Sequence, residues 1–289
     1  MFEREIPVLL VDDDPDVLSV SRLAMRGFEV FGLPITAYTA ASKAEAIELL
    51  NSRFALQAQV GAKLNVAFID VVMESDTAGL ELCDYIRNTL GNKFTQLYVR
   101  TGQPGVAPER AVIDRYDING YFTKAEATED KLYTLVKSGV RQAYFTGLSL
   151  ALSNVLAGLI GASDSHDSMR EALTRSWGMW DVDFRIGYSI GDTTIVRGFD
   201  EDEFRALRDE LDGQAGMPIG RSGNDKVVVD GNRLLIKVAE SPLTAEVYDV
   251  AIGHAPAPEA LIPVMHTFVR SFAALWKKAA ERSPELVEA

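Results

Sequence analysis

Three acidic residues follow short apolar segments in the first half of the chain. Asp12 and Asp13 come directly after Val8–Val11, and Asp70 comes directly after Val66–Ile69. Mg²⁺ prefers oxygen ligands, and proteins commonly hold it with one or two carboxylates together with water and phosphate oxygens. If the two segments are neighbouring strands, the three acids form a pocket suited to a divalent cation.

Two further residues could complete a site for phosphoryl transfer. Thr101 ends the segment that begins at Leu97, and Lys124 follows Gly120–Thr123. A carboxylate can act as a nucleophile and form an acyl phosphate, and phosphoryl transfer depends mainly on positioning and charge neutralisation. With Asp70 as the acceptor, Lys124 as the cation and Thr101 as a hydroxyl donor, the sequence predicts reversible aspartyl phosphorylation.

The elements that must position these residues alternate between short apolar runs and longer helical patterns. Five such runs predict strands: Val8–Val11, Ile35–Thr39, Val66–Ile69, Leu97–Val99 and Tyr121–Phe122. Five βα units in series predict a doubly wound α/β fold with a five-stranded parallel sheet covered on both faces. Ligands bind such sheets at the carboxyl ends of the strands, which is where the five candidate residues lie.

The pattern changes after residue 127, and we predict three segments along the chain. Residues 1–127 form the α/β domain, and residues 128–162 form a long helix that connects it to the last segment. Residues 163–289 contain a hairpin signal at Asp230-Gly231 and a final helical pattern at Ala260–Ala280. We expect this last segment to be an α+β domain of the GAF or PAS general type.

Composition limits the function further. The chain has 289 residues and a formal net charge of −13, and neither half carries a basic stripe. This argues against binding to nucleic acid or to an anionic membrane surface. No run of about 18 apolar residues predicts a membrane span, and the single cysteine, Cys83, lies in an apolar pattern typical of a core thiol. We therefore expect a soluble cytoplasmic protein.

Residues 5 to about 140 resemble the receiver domain of two-component response regulators. Four segments carry the resemblance: Val11-Asp12-Asp13-Asp14-Pro15, Ile69-Asp70-Val71-Val72-Met73, Arg100-Thr101-Gly102 and Tyr121-Phe122-Thr123-Lys124. The resemblance implies a flavodoxin-like fold and makes Asp70 the phosphoacceptor, Thr101 the switch hydroxyl and Lys124 the phosphate-binding lysine. It also implies that Tyr121 is the switch aromatic.

The same resemblance implies a Mg²⁺ site. Its ligands would be Asp12, Asp13 and Asp70 together with the backbone carbonyl of Val72. The partner would be a histidine kinase or a phosphotransfer protein.

Two positions depart from the usual receiver pattern. Glu74 stands where most receivers have proline, and Ala125 replaces the proline that commonly follows the phosphate-binding lysine. A cis bond before a non-proline residue costs about 2.5–4 kcal/mol. We therefore predict a trans Lys124–Ala125 bond and a rearranged loop after it.

The motifs look like those of one receiver subgroup. In that subgroup a GAF-like segment follows the receiver, and the chain often also contains an HD-GYP phosphodiesterase that hydrolyses cyclic di-GMP. The three histidines, His166, His254 and His266, are scattered and lack the HD-GYP pattern. We expect His166 to cap a helix or to lie on the solvated surface. We also find no cyclase motif, P-loop or basic recognition helix, so we expect a phosphoacceptor that promotes its own phosphorylation and dephosphorylation without a separate catalytic domain.

Several aromatic side chains in the last segment allow two interpretations. Trp177, Trp180, Phe184 and Tyr188 could line a ligand pocket or form the core, and the apolar side of Ala260–Ala280 could pack on its own sheet or form a dimer surface.

The function predicted from the sequence is that of a response regulator that is phosphorylated on Asp70 and signals by contacts with an unknown downstream protein, as a homodimer. Two alternatives stay open. The chain could be the regulatory fragment of a cyclic di-GMP phosphodiesterase, or a ligand-sensing GAF adaptor.

Overall fold

A computed structural model describes residues 5–55, 64–102, 109–177, 185–220, 223–231, 233–239, 243–249 and 262–282. The chain divides into two compact units, Glu3–Leu148 and Ser149–Ala289. Trp180, Phe184 and His254, singled out in the sequence, lie outside the described residues.

The first unit contains a six-stranded sheet. Its strands are β1 (Ile6–Val11), β2 (Glu29–Val30), β3 (Leu33–Ala40), β4 (Val66–Asp70), β5 (Gln96–Thr101) and β6 (Gly120–Thr123). The order is β2-β3-β1-β4-β5-β6, and every pair is parallel except β2 with β3. The five parallel strands follow the 2-1-3-4-5 order of flavodoxin-like folds. The predicted fold class is confirmed, and the two-residue strand β2 is an addition that the sequence pattern did not indicate.

Helices cover both faces of this sheet. They are α1 (Pro15–Ala24), α2 (Lys43–Asn51), α3 (Ala78–Asp84, continued by a π-helical turn at Tyr85–Thr89), α4 (Glu109–Tyr116) and the start of α5 (Glu129–Gly161). Each face has its own apolar core, one including Leu9, Ile69 and Val99 and the other including Leu10, Phe68 and Tyr98. Cys83 is fully buried in the first of these cores, and its burial raises the pKa of the thiol to about 12.

The first helix begins at the residues that predicted it. The Asp14 side chain accepts a hydrogen bond from the Asp16 amide at 2.9 Å, and Pro15 occupies the first helical position. Proline costs nothing there, because its missing N–H would have no helical partner. This cap places Asp12 and Asp13 in the short connection between β1 and α1.

The added strand β2 forms a hairpin with β3, and the hairpin turn packs on α5. Phe31, in the turn, has a φ of +57°. Its ring centroid lies 5.1 Å from that of Tyr144 and 6.4 Å from that of Phe145, and the guanidinium of Arg141 lies 5.6 Å from the Phe31 centroid. The hairpin therefore anchors α5 well beyond its first turns.

The long helix predicted for residues 128–162 is present as α5. It has 33 residues, which is about 50 Å at 1.5 Å per residue. The boundary between the two compact units, after Leu148, falls inside it. By length and composition alone α5 is the one described helix that could cross a membrane, and 33% of its most apolar window is buried. This is weak evidence for a span, because core helices of soluble proteins meet the same criteria.

The second unit is an α+β fold with an antiparallel sheet. Its strands are β7 (Arg185–Ile190), β8 (Thr193–Arg197), β9 (Met217–Ile219), β10 (Asp225–Asp230), β11 (Arg233–Lys237) and β12 (Leu243–Asp249), in the order β8-β7-β12-β11-β10-β9. Its other helices are α6 (His166–Trp177), α7 (Glu201–Asp212) and α8 (Ile262–Arg282). The predicted hairpin joins β10 to β11, where Asp230 pairs with Arg233 and Gly231 has a φ of +60°.

The described aromatic residues of this unit pack on one another. Trp177 and Tyr188 are stacked with their centroids 6.4 Å apart, and Tyr188 meets Phe272 edge to face at 5.3 Å. All three are less than 9% exposed. For Trp177 and Tyr188 the core interpretation is therefore the better one.

His166 differs from the expectation of a solvated or capping residue. Its ring stacks on Trp276 with centroids 4.3 Å apart, and its Nε2 lies 3.0 Å from the Trp276 carbonyl oxygen. The helix cap is supplied by Ser165, whose hydroxyl accepts the Ser168 amide. The ring thus connects α6 to α8.

A charged cluster lies between β10 and α8. The carboxylate of Asp225, 3% exposed, lies 2.7 Å from Nε2 of His266 and 3.0 Å from the Arg270 guanidinium, and accepts the Ala239 amide at 3.0 Å. Burial alone would raise the pKa of Asp225, but these hydrogen bonds and charges hold it below its usual value. We expect this cluster to fix α8 on the sheet.

Candidate phosphoryl-transfer site

Strand register brings the charged candidates together at one end of the first sheet. Side chains two residues apart on a strand lie on the same face. Leu10, Phe68, Tyr98 and Phe122 all belong to one core, so the residues two positions further on also share a face. These are Asp12, Asp70, Arg100 and Lys124.

Lys124 lies between two of the acids. Its Nζ is 2.7 Å from Asp70 Oδ2 and 3.0 Å from Asp12 Oδ2. Burial alone would lower the pKa of Lys124, but the hydrogen bonds to Asp70 and Asp12 raise it above its ordinary value. The ammonium therefore carries its charge at neutral pH, and at 27% exposure it stays open to solvent.

Asp70 combines burial with an oxygen that has no partner. The residue is 2% exposed, and within the described part of the chain Oδ1 makes no hydrogen bond. Burial raises the pKa of Asp70, with Asp12 adding to this shift and Lys124 opposing it. A buried carboxylate oxygen without a donor is costly, which suits a position where a ligand supplies the missing contact.

The acids also fit a divalent cation. Asp12, Asp13 and Asp70 each offer a carboxylate oxygen within 4.8 Å of the others. Asp13 is exposed whereas the other two are buried, so a cation there would have access to water. Val72, whose carbonyl the sequence interpretation adds to this set, lies two residues beyond Asp70 and is half-buried. Hard oxygen donors of this kind suit Mg²⁺.

Arg100 is a charged member of the site that the sequence interpretation did not assign a role. It is 1% exposed and lies beside Asp70 in the parallel register of β4 and β5. One guanidinium nitrogen donates to Ser21 Oγ at 2.8 Å, and the other lies 3.4 Å from Asp12 Oδ2. An arginine directly after the apolar run Leu97–Val99 was the available signal, because a buried cation requires an anionic or polar partner.

Thr101 and Tyr121 lie on the opposite face of the sheet. Leu97 and Val99, four and two residues before Thr101, belong to the other core, and Tyr121 packs against that same core. Thr101 is fully buried, while Tyr121 is partly exposed. The two proposed switch residues are thus close to the acids along the strands but face different helices.

The loop after Asp70 is held by a close approach of α3. The Gly79 amide donates to the Val71 carbonyl at 3.1 Å, and the Val71 amide donates to the Arg100 carbonyl at 3.0 Å. A Cβ at Gly79 would overlap the Asp70 carbonyl group, with 2.7 Å to its carbon. Glycine is therefore required here for the position of Asp70.

The two departures from the receiver pattern have local explanations. Glu74 accepts the Lys43 amide at 3.1 Å, which ties the loop after Asp70 to the start of α2. The described residues contain no cis peptide bond, so the predicted trans geometry at Lys124–Ala125 is found. A short 3₁₀ turn spans Lys124–Glu126, closed by Glu126, which accepts the amide and hydroxyl of Thr123 at 2.7 and 2.8 Å.

Comparison with known proteins identifies a curated relative. Over 134 residues, 46% of this chain, the sequence is 41% identical to the 3'3'-cGAMP-specific phosphodiesterase 2 of Vibrio cholerae serotype O1. The match covers 24% of that protein, so the chain spans about a quarter of its relative's length. No protein-family model matches the chain.

Solved receiver domains are similar to part of the chain. One is the signal receiver domain of an HD domain-containing protein from Pseudomonas fluorescens Pf-5, with 18% identity, a TM-score of 0.40 and coverage of 48% of this chain and 98% of that one. Another is the Francisella response regulator 1452 receiver domain, with 19% identity, a TM-score of 0.37 and coverage of 47% and 98%. The fold itself is established by the strand order of the first unit. The resemblance inferred from the motifs is confirmed: the first unit is similar to response regulator receiver domains.

Proposed function

We propose that the protein is a response regulator whose Asp70 is reversibly phosphorylated. The observation that carries this proposal is the pairing of a buried carboxylate, one oxygen of which has no partner, with a lysine 2.7 Å from the other oxygen. Thr101 ends the same strand as Arg100; in the parallel registers Arg100 pairs with Asp70, and Thr101 pairs with Thr123, the residue before Lys124. The geometry supports a carboxylate nucleophile with a cation ready to receive phosphoryl oxygens.

In the proposed reaction, an oxygen of Asp70 attacks the phosphorus of a phosphohistidine on a kinase or phosphotransfer protein. The P–N bond breaks as the P–O bond forms, and the histidine keeps the electron pair. Lys124 neutralises charge on the phosphoryl oxygens, and the Thr101 hydroxyl donates a hydrogen bond to one of them. Asp12, Asp13, Asp70 and the Val72 carbonyl would hold Mg²⁺, which when bound supplies further positive charge at the phosphoryl group.

Phosphorylation can be tested with a small phosphoryl donor. Incubation of the full chain with acetyl phosphate and Mg²⁺ should add one phosphoryl group, and borohydride trapping with mass spectrometry should locate it at Asp70. Asp70→Asn should abolish the modification, whereas Asp114→Asn on the exposed side of α4 should leave it unchanged. A label on Asp12 or Asp13 in the wild-type protein would contradict the assignment.

We propose that output passes through α5 to the second unit, and that the protein acts in the cytoplasm as a homodimer. In this proposal residues 1–127 are the receiver, 128–162 the connector and 163–289 a GAF-like domain. Two apolar side chains of α5, Leu150 and Ile160, are 45% and 60% exposed, which supports a contact along this helix. The acidic net charge of −13 supports a protein partner rather than nucleic acid.

The oligomeric part of the proposal has its own test. Light scattering and small-angle scattering of the full chain, with and without beryllofluoride and Mg²⁺, should show a dimer whose association or scattering profile changes. A monomer with an identical profile in both states would eliminate signalling through α5.

A second candidate function is the regulatory segment of a cyclic-dinucleotide phosphodiesterase. It is favoured by the name of the curated relative, of which this chain matches about a quarter. An antibody against the chain, used on extracts of its source cells, would separate the two proposals. A band near the 31.7 kDa calculated for this sequence supports the response regulator, and a much larger band that hydrolyses 3'3'-cGAMP or cyclic di-GMP supports the second candidate.

A further inference from the structure

Arg100 is a buried cation placed against the acids of the phosphoryl-transfer site. At 1% exposure it is the largest side chain among the fully buried ones in the described part of the chain. Such a charge is tolerated only when it is paired and hydrogen-bonded. Its partners are Asp12, 3.4 Å from one guanidinium nitrogen, and the Ser21 hydroxyl, 2.8 Å from the other.

The three acids differ in how many cations they meet. Asp12 meets both Lys124 and Arg100, whereas the ion pair of Asp70 among the described residues is with Lys124 alone. Asp13 is exposed to solvent. With Arg100 present, the three carboxylates face two cations, and Asp12 is the carboxylate whose charge is most fully offset.

Asp12 is also held in place by hydrogen bonds and ion pairs. Its Oδ1 accepts the Asp14 amide at 3.1 Å, and its Oδ2 faces both cations. Because Arg100 also binds Ser21, Asp12 is linked to the middle of α1. Its oxygens are thus committed to protein partners.

We propose that Arg100 is a positioning residue that holds Asp12 as an already neutralised carboxylate and thereby lowers the affinity of the three acids for a divalent cation. This proposal rests on the proposed function of the site. Its consequence is a pocket that keeps a strong positive charge near the phosphoryl group even when little Mg²⁺ is bound.

The test is calorimetric titration of the full chain with Mg²⁺, without any phosphoryl donor. Arg100→Met should bind Mg²⁺ about tenfold more tightly, because it removes a positive charge that lies a few ångströms from the site of a divalent cation and repels that cation. Arg100→Lys keeps the charge and should stay within about threefold of the wild-type affinity. Urea unfolding and circular dichroism would establish that each variant is folded.

Arg87→Met is the matched control. Arg87 is also buried, at 3% exposure, but it bonds to the carbonyls of Asp117 and Asn92 and to the Asn119 side chain rather than to the site. Its loss should leave Mg²⁺ affinity unchanged even if stability falls.

The possible outcomes distinguish a failure of the role of Arg100 from a failure of the proposed function. Unchanged or weaker binding in folded Arg100→Met refutes the role of Arg100. If that variant does not fold, Arg100→Lys decides, since a tenfold change in either direction would contradict an effect of charge. A wild-type chain that binds no Mg²⁺ at all would instead count against the proposed function of the site.

Discussion

The substitution Gly79→Ala tests how closely α3 approaches the proposed phosphoacceptor. The added Cβ would lie 2.7 Å from the carbonyl carbon of Asp70, whereas nine in ten real Cβ contacts are longer than 3.4 Å. The nearest atom is the Asp70 carbonyl oxygen, which the added Cβ would overlap outright, so the Asp70 backbone and the first turn of α3 must separate by more than about 1 Å. A reacting group has to be held within about 0.5 Å of its productive position, and a displacement of about 1 Å can cost on the order of 100-fold in rate.

We expect the initial rate of phosphorylation by acetyl phosphate to fall between about 10-fold and 100-fold in Gly79→Ala. Overpacking of this kind should also lower the free energy of unfolding by about 1–3 kcal/mol. Intact-mass spectrometry over a time course gives the rate, and urea unfolding gives the stability.

Gly102→Ala provides the control on the other side of the site. Among the described residues, a Cβ there would meet the Lys124 side chain at 3.9 Å, which is an ordinary contact. Its rate should remain within about threefold of wild type. A folded Gly79→Ala protein that is phosphorylated at the wild-type rate would refute the reasoning, and equal losses in the two variants would show that the close approach is not the cause.

Three further predictions concern other parts of the chain. Because the pKa of Asp225 is lower in the folded state than in the unfolded state, the Asp225 interactions stabilise the fold above the unfolded pKa near 4, and this stability is lost as the pH falls through the folded pKa. In urea unfolding, Asp225→Asn should therefore lower the free energy of unfolding by about 1–3 kcal/mol at pH 7 and by less at pH 3. A loss of stability that does not depend on pH would argue against this. Cys83, with a pKa of about 12 and no exposure, should not react with a thiol reagent at pH 8 until the protein is unfolded, so fast reaction of native protein would show that the core opens. Phe31→Ala removes the ring contacts of the hairpin turn and should cost about 1–3 kcal/mol and speed hydrogen exchange at residues 141–145; unchanged exchange there would mean that the hairpin does not anchor α5.

Much of the candidate site could be predicted because its residues come at the ends of recognisable strands. Asp12, Asp70 and Lys124 each end an apolar run, and the carboxyl ends of parallel strands meet at one edge of the sheet. Their convergence therefore needs only strand order, which the alternation of strands and helices supplies. The long helix α5 could also be predicted from the sequence, because its apolar residues recur every three or four positions.

Other features depend on contacts that a local pattern does not encode. Strand β2 has two residues, Glu29 and Val30, too few to show any periodicity. The position of His166 results from a ring stack with Trp276, 110 residues later in the chain. Arg100 was visible as a charge directly after the apolar run Leu97–Val99, but its partners come from elsewhere in the fold: Asp12 follows β1 and Ser21 lies in α1.

The placement of the site on two faces of one strand has a consequence for how such a protein can change over evolution. Arg100 faces the acids, while its neighbour Thr101 faces the opposite core together with Tyr121. Apart from Thr101 itself, which in the proposed function donates to a phosphoryl oxygen, substitutions in that second core would change the surface beside Tyr121 without touching Asp70, Lys124 or the other acids. In the proposed function, a lineage can therefore acquire a new downstream partner through one layer of the fold while the groups proposed for phosphoryl transfer are inherited unchanged through the other.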